Sequence, residues 1–517
     1  MSHDHEVRQS AGALQAVPVN PDPAVAPHGV AAPGRYRYAT LCEAADALRS
    51  GEVNAETLVA ECEAAHEADN PAVNAVIVSD FGRARAVARE RDAELRAGRV
   101  RGPLHGIPFT IKESFDVEGW PTTVGDPAYR HNYPPCDAEV VRRLYDAGAV
   151  LLGKTNVPIW LRDWQSYNDI YGTTRNPRAL TRTPGGSSGG SAAAVCTGMS
   201  FFDVGSDIGS SIRNPAHYCG IFSHKSTHGI VSLRGHGLPG GLAQQDINVA
   251  GPLARSARDL ECVLGAIASP PGEAAAALRL ELPRCDATRL RDIRFGVLPN
   301  HSVAEVDSEV EQRLVELGRT LEREGASVVW HARPALDAAQ LLHTYILLLR
   351  ASTSCYLGDE AFAAALPIGD AADPDDATYA SLQYVGTALR HRDWLKLQSI
   401  RETYAAAWRS LFDEVDVLLC PVAATAAFPL DESGAPWQRM LTVNGRPQPL
   451  TTQLFWAGHS GLCGLPSTVA PAGTTSDGRP VGVQIVAPLF HDLRALKVAS
   501  LLEAAGYAFT PPVRTGN

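Results

Sequence analysis

The chain has 517 residues, is 45% apolar and 20% charged, and carries a formal charge of −11, the profile of an ordinary globular protein with ample length for a large core. A net acidic chain with dispersed basic residues argues against nucleic acid or an anionic membrane as its main partner, and no segment approaches the roughly 20 apolar residues that span a bilayer. Its 10 Cys never form a C-x-x-C pair, which excludes a disulfide scaffold and a ribbon-type zinc site, fits a reducing compartment, and gives a cytoplasmic expectation.

Met1 to Gly34, rich in Pro and Ala, reads as a disordered tail in which His3 and His5 are solvated. Thr40-Leu41-Cys42-Glu43 is a capping box opening a helix that Gly51 closes. A second helix is expected after Asn54 and a third over Phe81 to Ala97, ended by Gly98. Gly106 to Lys112 reads as a loop entering a short strand with Lys112 at its end. Asp137 to Asp146 reads as a helix and Ala149 to Leu152 as a strand, a rhythm that points to an α/β fold. Asn176 to Gly190 is a Pro/Gly/Ser-rich loop, Ser191 to Cys196 starts a small-residue helix, and Ser200 to Val204 reads as a buried strand followed by a polar turn to Arg213. Farther on, Ile293 to Leu298 and Ser327 to Trp330 are strand-like around a helix at Val306 to Glu324. Pro334 to Trp456 is aromatic-rich and less regular; Val481 to Val486 reads as a strand and Leu493 to Ala505 as a helix.

Only five basic residues are Lys: Lys112, Lys154, Lys225, Lys396 and Lys497; the other 46 − 5 = 41 are Arg. Arg stays protonated, whereas a buried Lys can lose its proton, so each Lys is a candidate for chemistry that Arg cannot perform. Two Gly/Ser-rich blocks accompany Lys112: Gly185-Gly186-Ser187-Ser188-Gly189-Gly190-Ser191, and Gly205-Ser206-Asp207-Ile208-Gly209-Ser210-Ser211-Ile212-Arg213. The first contains G-x-S-x-G, but Pro177 and Pro184 in its lead-in argue against the strand that a nucleophile elbow requires.

Together these blocks resemble the amidase signature family. The resemblance continues at Leu104 to Pro108, Leu152 to Asn156, Val249 to Ser256, Asp416 to Pro421 and Pro480 to Gln484, and so runs from about Leu41 to Gly506. It implies a single α/β domain, a mixed central sheet covered by helices on both sides, over residues 37–512. Residues 1–36 and 513–517 are then tails, and about 334–456 form much of the substrate pocket. It implies a Ser–Ser–Lys triad with Ser211 as nucleophile, Ser187, behind a cis peptide bond, as proton relay, and Lys112 as base. The N–H groups of Ile208, Gly209, Ser210 and Ser211 would form the oxyanion hole, with Gly186, Ser188, Ser191, Asp207 and Arg213 in support. No metal or organic cofactor is implied.

The chemistry is consistent with that assignment. A serine hydroxyl needs a base to become a nucleophile, and Lys serves only when neutral. Its ordinary pKa of roughly 10.4 means that neutrality at pH 7 requires on the order of 4–5 kcal/mol of differential desolvation or hydrogen bonding, which burial beside Phe109 and Ile111 can supply. Glu113 should face away from Lys112. Gly209 is expected to let the loop's N–H groups turn toward one point. Asp207 reads as orienting backbone rather than as a triad acid. His224 and His228, four apart, and the thiols of Cys196 and Cys219 read as core groups, with Ile230 to Leu233 as a strand.

The expected activity is cleavage of a carboxylic amide C–N bond, on a neutral hydrophobic or aryl amide, with carbamates or esters as related substrates. The pocket aromatics would come from Trp160 to Tyr171 and from Tyr345, Tyr356, Tyr379, Tyr384, Trp437, Phe455 and Trp456. The expected partner is this small-molecule amide, with a homodimer left open. Two alternatives stand beside it: the glutaminase subunit of a tRNA-dependent amidotransferase, which the Lys225 to Arg234 segment does not resemble, and a non-catalytic scaffold of the same fold.

Overall fold

A computed structural model describes residues 34–237, 245–270 and 272–513; most of the expected N-terminal tail, and the end of the C-terminal one, lie outside them. The strands in chain order are β1 (Val76–Ser79), β2 (Pro108–Lys112), β3 (Val150–Thr155), the two-residue β4 (Tyr167–Asn168) and β5 (Gly172–Thr173), β6 (Phe202–Asp207), β7 (Phe222–Lys225) and β8 (Val249–Ala254). They continue as β9 (Arg294–Val297), β10 (Ser327–Trp330), β11 (Val417–Pro421), β12 (Met440–Val443), β13 (Arg446–Pro449), β14 (Ser467–Thr474) and β15 (Pro480–Val486).

Eleven of these make one mixed sheet in the order β1-β3-β2-β6-β8-β7-β14-β15-β11-β9-β10. β2 runs parallel to β3 on one side and to β6 on the other. That register sets Ile111 opposite Val204, so the Lys112 end of β2 lies beside the strand that leads into the second Gly/Ser block. All five residues of β2 and all six of β6 are buried, as strands inside a covered sheet require. Phe109 stacks on Phe202 at 5.3 Å between ring centroids, fixing the pair from the apolar side.

The helix Leu41–Ser50 starts at the Thr40–Glu43 capping box and ends at Gly51 in the left-handed conformation, as the sequence implied. Asn54 caps Ala55–Val73, and Phe81–Arg96 ends beside Gly98. The small-residue helix Gly189–Thr197 is wholly buried; its Ala192 and Val195 join Ile212, Ala216, Leu253 and Val469 in one apolar cluster. Side chains this small let helix and sheet backbones approach closely.

Two readings are corrected. The segment from residue 334 to 456 is largely helical: Ala338–Ser354, Asp359–Asp370, Tyr379–Thr387 and His391–Glu414. Buried Leu341, Tyr345 and Leu348 recur at helical spacing behind the Asp337 cap, a period that the aromatics obscured. Ile230 to Leu233 is not a strand; only Val231 makes a bridge, to Ala268, after the left-handed turn at Gly229.

Candidate active site

Lys112 is fully buried at the end of β2. Its Nζ lies 2.7 Å from Ser187 Oγ, 3.0 Å from Ser206 Oγ and 3.4 Å from the Ser206 carbonyl. Burial pushes its pKa down to about 7, against the opposing pull of Asp207 and Asp203. Glu113 takes the N–H groups of Thr123 and Val124 instead, so it faces away from Lys112 as strand alternation predicts.

The Gly186–Ser187 peptide bond is cis. Gly186 is pressed against the 163–165 segment: a Cβ there would stand 2.4 Å from the Asp163 carbonyl, so no side chain fits. Asn214 ties this loop to the next. Its Nδ2 donates to the carbonyls of Gly186 (2.6 Å) and Ser210 (2.8 Å), and its Oδ1 accepts from Gly186 N–H (3.1 Å). Ser188 N–H donates to the Ser211 carbonyl at 3.1 Å, while Ser188 Oγ lies 3.4 Å from the Ser206 carbonyl. Ser191 Oγ sits 3.0 Å from Thr155 Oγ1, behind the loop.

Asp207, at the end of β6, organises the second block. It accepts the N–H groups of Ser210 (2.9 Å) and Ile212 (3.1 Å) and pairs with the Arg213 guanidinium at 2.9 Å. Burial would raise its pKa, but Arg213 outweighs that and holds it at about 2. Arg213 is anchored in turn on Ser460 and Gln484. This arrangement corrects one expected member of the oxyanion hole. The Ser210 N–H belongs to Asp207, whereas among the described residues those of Ile208, Gly209 and Ser211 have no partner. The turn is also made by Ser210, at φ 75°, rather than by Gly209. Trp164 Nε1 donates to the Gly209 carbonyl (2.8 Å) and Tyr345 OH to that of Ile208 (2.6 Å), pinning both peptide planes.

Ser187 and Ser211 line one cavity of about 1080 Å³, open mouth included. Ser211 Oγ has no hydrogen-bond partner among the described residues and faces that space. Of the expected pocket aromatics, Trp160, Trp164, Tyr356, Tyr379 and Trp437 line the wall, with Leu349 and Leu454. Phe455 and Trp456 are instead fully buried, Trp456 Nε1 donating to the Ala304 carbonyl. Such a wall suits a ligand with an apolar or aromatic body.

Sequence reasoning missed Ser206, His236 and Asn214. His236 Nε2 lies 2.8 Å from Ser206 Oγ and 3.0 Å from Ser114 Oγ; burial, then the proximity of Lys112, pushes its pKa down to about 3. The contact joins residues 30 apart, with a helix and a strand between them, and has no local signature. His224 is a satisfied core residue, bonded to Thr468 and Asp492, and His228 meets the Gln245 carbonyl. Cys196 and Cys219 are buried with their thiols pushed up by desolvation. Among the described residues no helix is long and apolar enough to cross a membrane.

The chain matches the family model described as Amidase over residues 57–496. It is 34% identical over 487 residues to a glutamyl-tRNA(Gln) amidotransferase subunit of Halorhodospira halophila, covering 89% of this chain and 95% of that one. Against the same subunit of Acidobacterium capsulatum it is 32% identical over 490 residues, covering 90% and 99%. A solved structure described as an amidase superposes with a TM-score of 0.72 at 30% identity, over 90% of this chain and 99% of that one.

Proposed function

The chain belongs to the amidase family, and we propose that it cleaves a carboxylic amide C–N bond through an acyl-enzyme on Ser211. The observation that carries this reading is a buried lysine of depressed pKa, 2.7 Å from Ser187, behind a cavity into which Ser211 opens. A neutral Lys112 can aim its N–H groups at Ser206 and leave its lone pair for the Ser187 hydroxyl. Ser187 passes its proton to Lys112 and takes one from Ser211, whose Oγ attacks the amide carbon. The oxyanion settles on the N–H groups of Ile208, Gly209 and Ser211, donors worth roughly 3–4 kcal/mol each to the barrier. The proton returns through Ser187 to the leaving nitrogen, which departs as an amine, and water releases the acyl group by the reverse route. The Ser187–Ser211 leg closes when substrate binds, since such bonds commonly tighten only in the complex.

The aromatic and aliphatic side chains on the wall favour a free-standing amidase acting on an amide with an aromatic or bulky apolar body. A second reading has its own support: the curated relatives are amidotransferase subunits, which makes glutamine the amide and other subunits the partners. The purified chain, assayed alone on a series of 4-nitroanilides and on L-glutamine, separates them. Anilide turnover without partners supports the free-standing enzyme. Glutamine turnover that appears only with added amidotransferase subunits supports the second reading. No turnover in either arm, together with no labelling of Ser211 by a fluorophosphonate, leaves the scaffold alternative.

A further inference from the structure

Two arginines share the wall of the Ser211 cavity. Arg162 follows the turn Ile159–Leu161 and Arg350 lies in the last turns of the helix Ala338–Ser354; both line the space that Ser187 and Ser211 face. Neither forms an ion pair among the described residues. Arg162 Nη2 donates only to the Thr353 carbonyl, at 3.3 Å, and the Nε of each arginine is buried without a partner. Each guanidinium lies over a ring, Arg162 over Trp160 and Arg350 over Tyr379, both at 5.1 Å. The two cations also oppose each other: burial and then Arg162 push the pKa of Arg350 down to about 9. Among the described residues the one carboxylate on the wall is that of Asp163, which pairs through Oδ2 with Arg439 at 2.6 Å and keeps its Oδ1 buried without a partner.

Two like charges held half-buried in one cavity, with donors unspent, are costly unless a ligand supplies the counter-charge. Guanidinium forks match a carboxylate in shape as well as charge. We propose that Arg162 and Arg350 form an anion subsite and that the amide substrate carries a carboxylate, set apart from the scissile bond by an apolar or aromatic body. This rests on the reading of Ser211 as the nucleophile and replaces the neutral substrate expected from sequence.

The test separates binding from turnover. Calorimetric titrations of Ser211→Ala protein compare N-phenylsuccinamate, N-phenylglutaramate and 4-acetamidobenzoate, each with its carboxamide counterpart. At least one carboxylate should bind about tenfold or more tightly than its carboxamide, as expected for a charge-assisted contact. Raised salt should shrink that ratio. Adding Arg162→Gln or Arg350→Gln should bring it toward one, and Arg350→Lys, which keeps the charge, should retain part of it. Carboxylates that bind no better than their carboxamides, or a ratio that survives both Gln substitutions, overturns the subsite. Failure of the nucleophile assignment shows separately, as wild-type protein whose Ser211 resists fluorophosphonate labelling.

Discussion

Lys112 Nζ and Ser187 Oγ stand 2.7 Å apart, and among the described residues no carboxylate pairs with the amine; Asp207 and Asp203 act on it only from a distance. The lysine is therefore placed to be a base rather than half of a salt bridge. Replacing it with Ala should lower kcat/KM on amides by on the order of 10²–10⁴-fold, the usual worth of general acid–base catalysis. Lys112→Arg should do as badly, because guanidinium stays protonated. Steady-state kinetics alongside thermal melts would check this, with the melts guarding against simple unfolding.

A lysine brought to about pKa 7 by burial also fixes a pH profile. Above that value the amine is neutral and can accept a proton; below it the base is lost. The kcat/KM profile should therefore rise with pH through a midpoint near 7 and level off above it. Asp203, whose pKa burial raises to about 7, titrates in the same range, so the limb belongs to the coupled site. The residual activity of Lys112→Ala should lack the limb.

The Asp207–Arg213 pair is buried at both ends and holds the Ser211 loop. Asp207→Ala should cost roughly 3–5 kcal/mol, the penalty for stranding a buried charge, read as a shift in denaturant midpoint at unchanged slope. The carboxyl is depressed to about 2 when folded. Its stabilisation is thus complete above its unfolded pKa near 4 and lost as pH falls through about 2.

Asn214 joins the two Gly/Ser blocks through both carbonyls and one N–H. Asn214→Ala should cost about 1–3 kcal/mol from the unpaired buried groups and lower kcat more than it raises KM, since it loosens Ser187 relative to Ser211. An equal melting temperature and unchanged kcat would remove Asn214 from this role.

Much of this site could be read from the chain. The scarcity of Lys left Lys112 as one of five candidates, among which the family resemblance chose it; the alternation of a short strand turned Glu113 away from it, and the crowding at Gly186 agrees with a glycine cluster. Contacts that tie distant positions carried no local pattern: Asn214 reaches Gly186 across 28 residues, and Lys112 reaches Ser206 across 94. Arg162 and Arg350 were two among 41 arginines, and only the fold that brings them to one wall sets them apart. The helices between residues 338 and 414 were hidden because their aromatic residues serve both the cavity wall and the core.

The most direct measurement is the rate at which a fluorophosphonate labels the chain, mapped by peptide mass spectrometry across pH 5 to 9. A single adduct is expected on Ser211, forming with a midpoint near pH 7 and slowed by on the order of 10²-fold or more in Lys112→Ala. Labelling at another residue, or a Ser211 rate indifferent to both pH and Lys112, would contradict it.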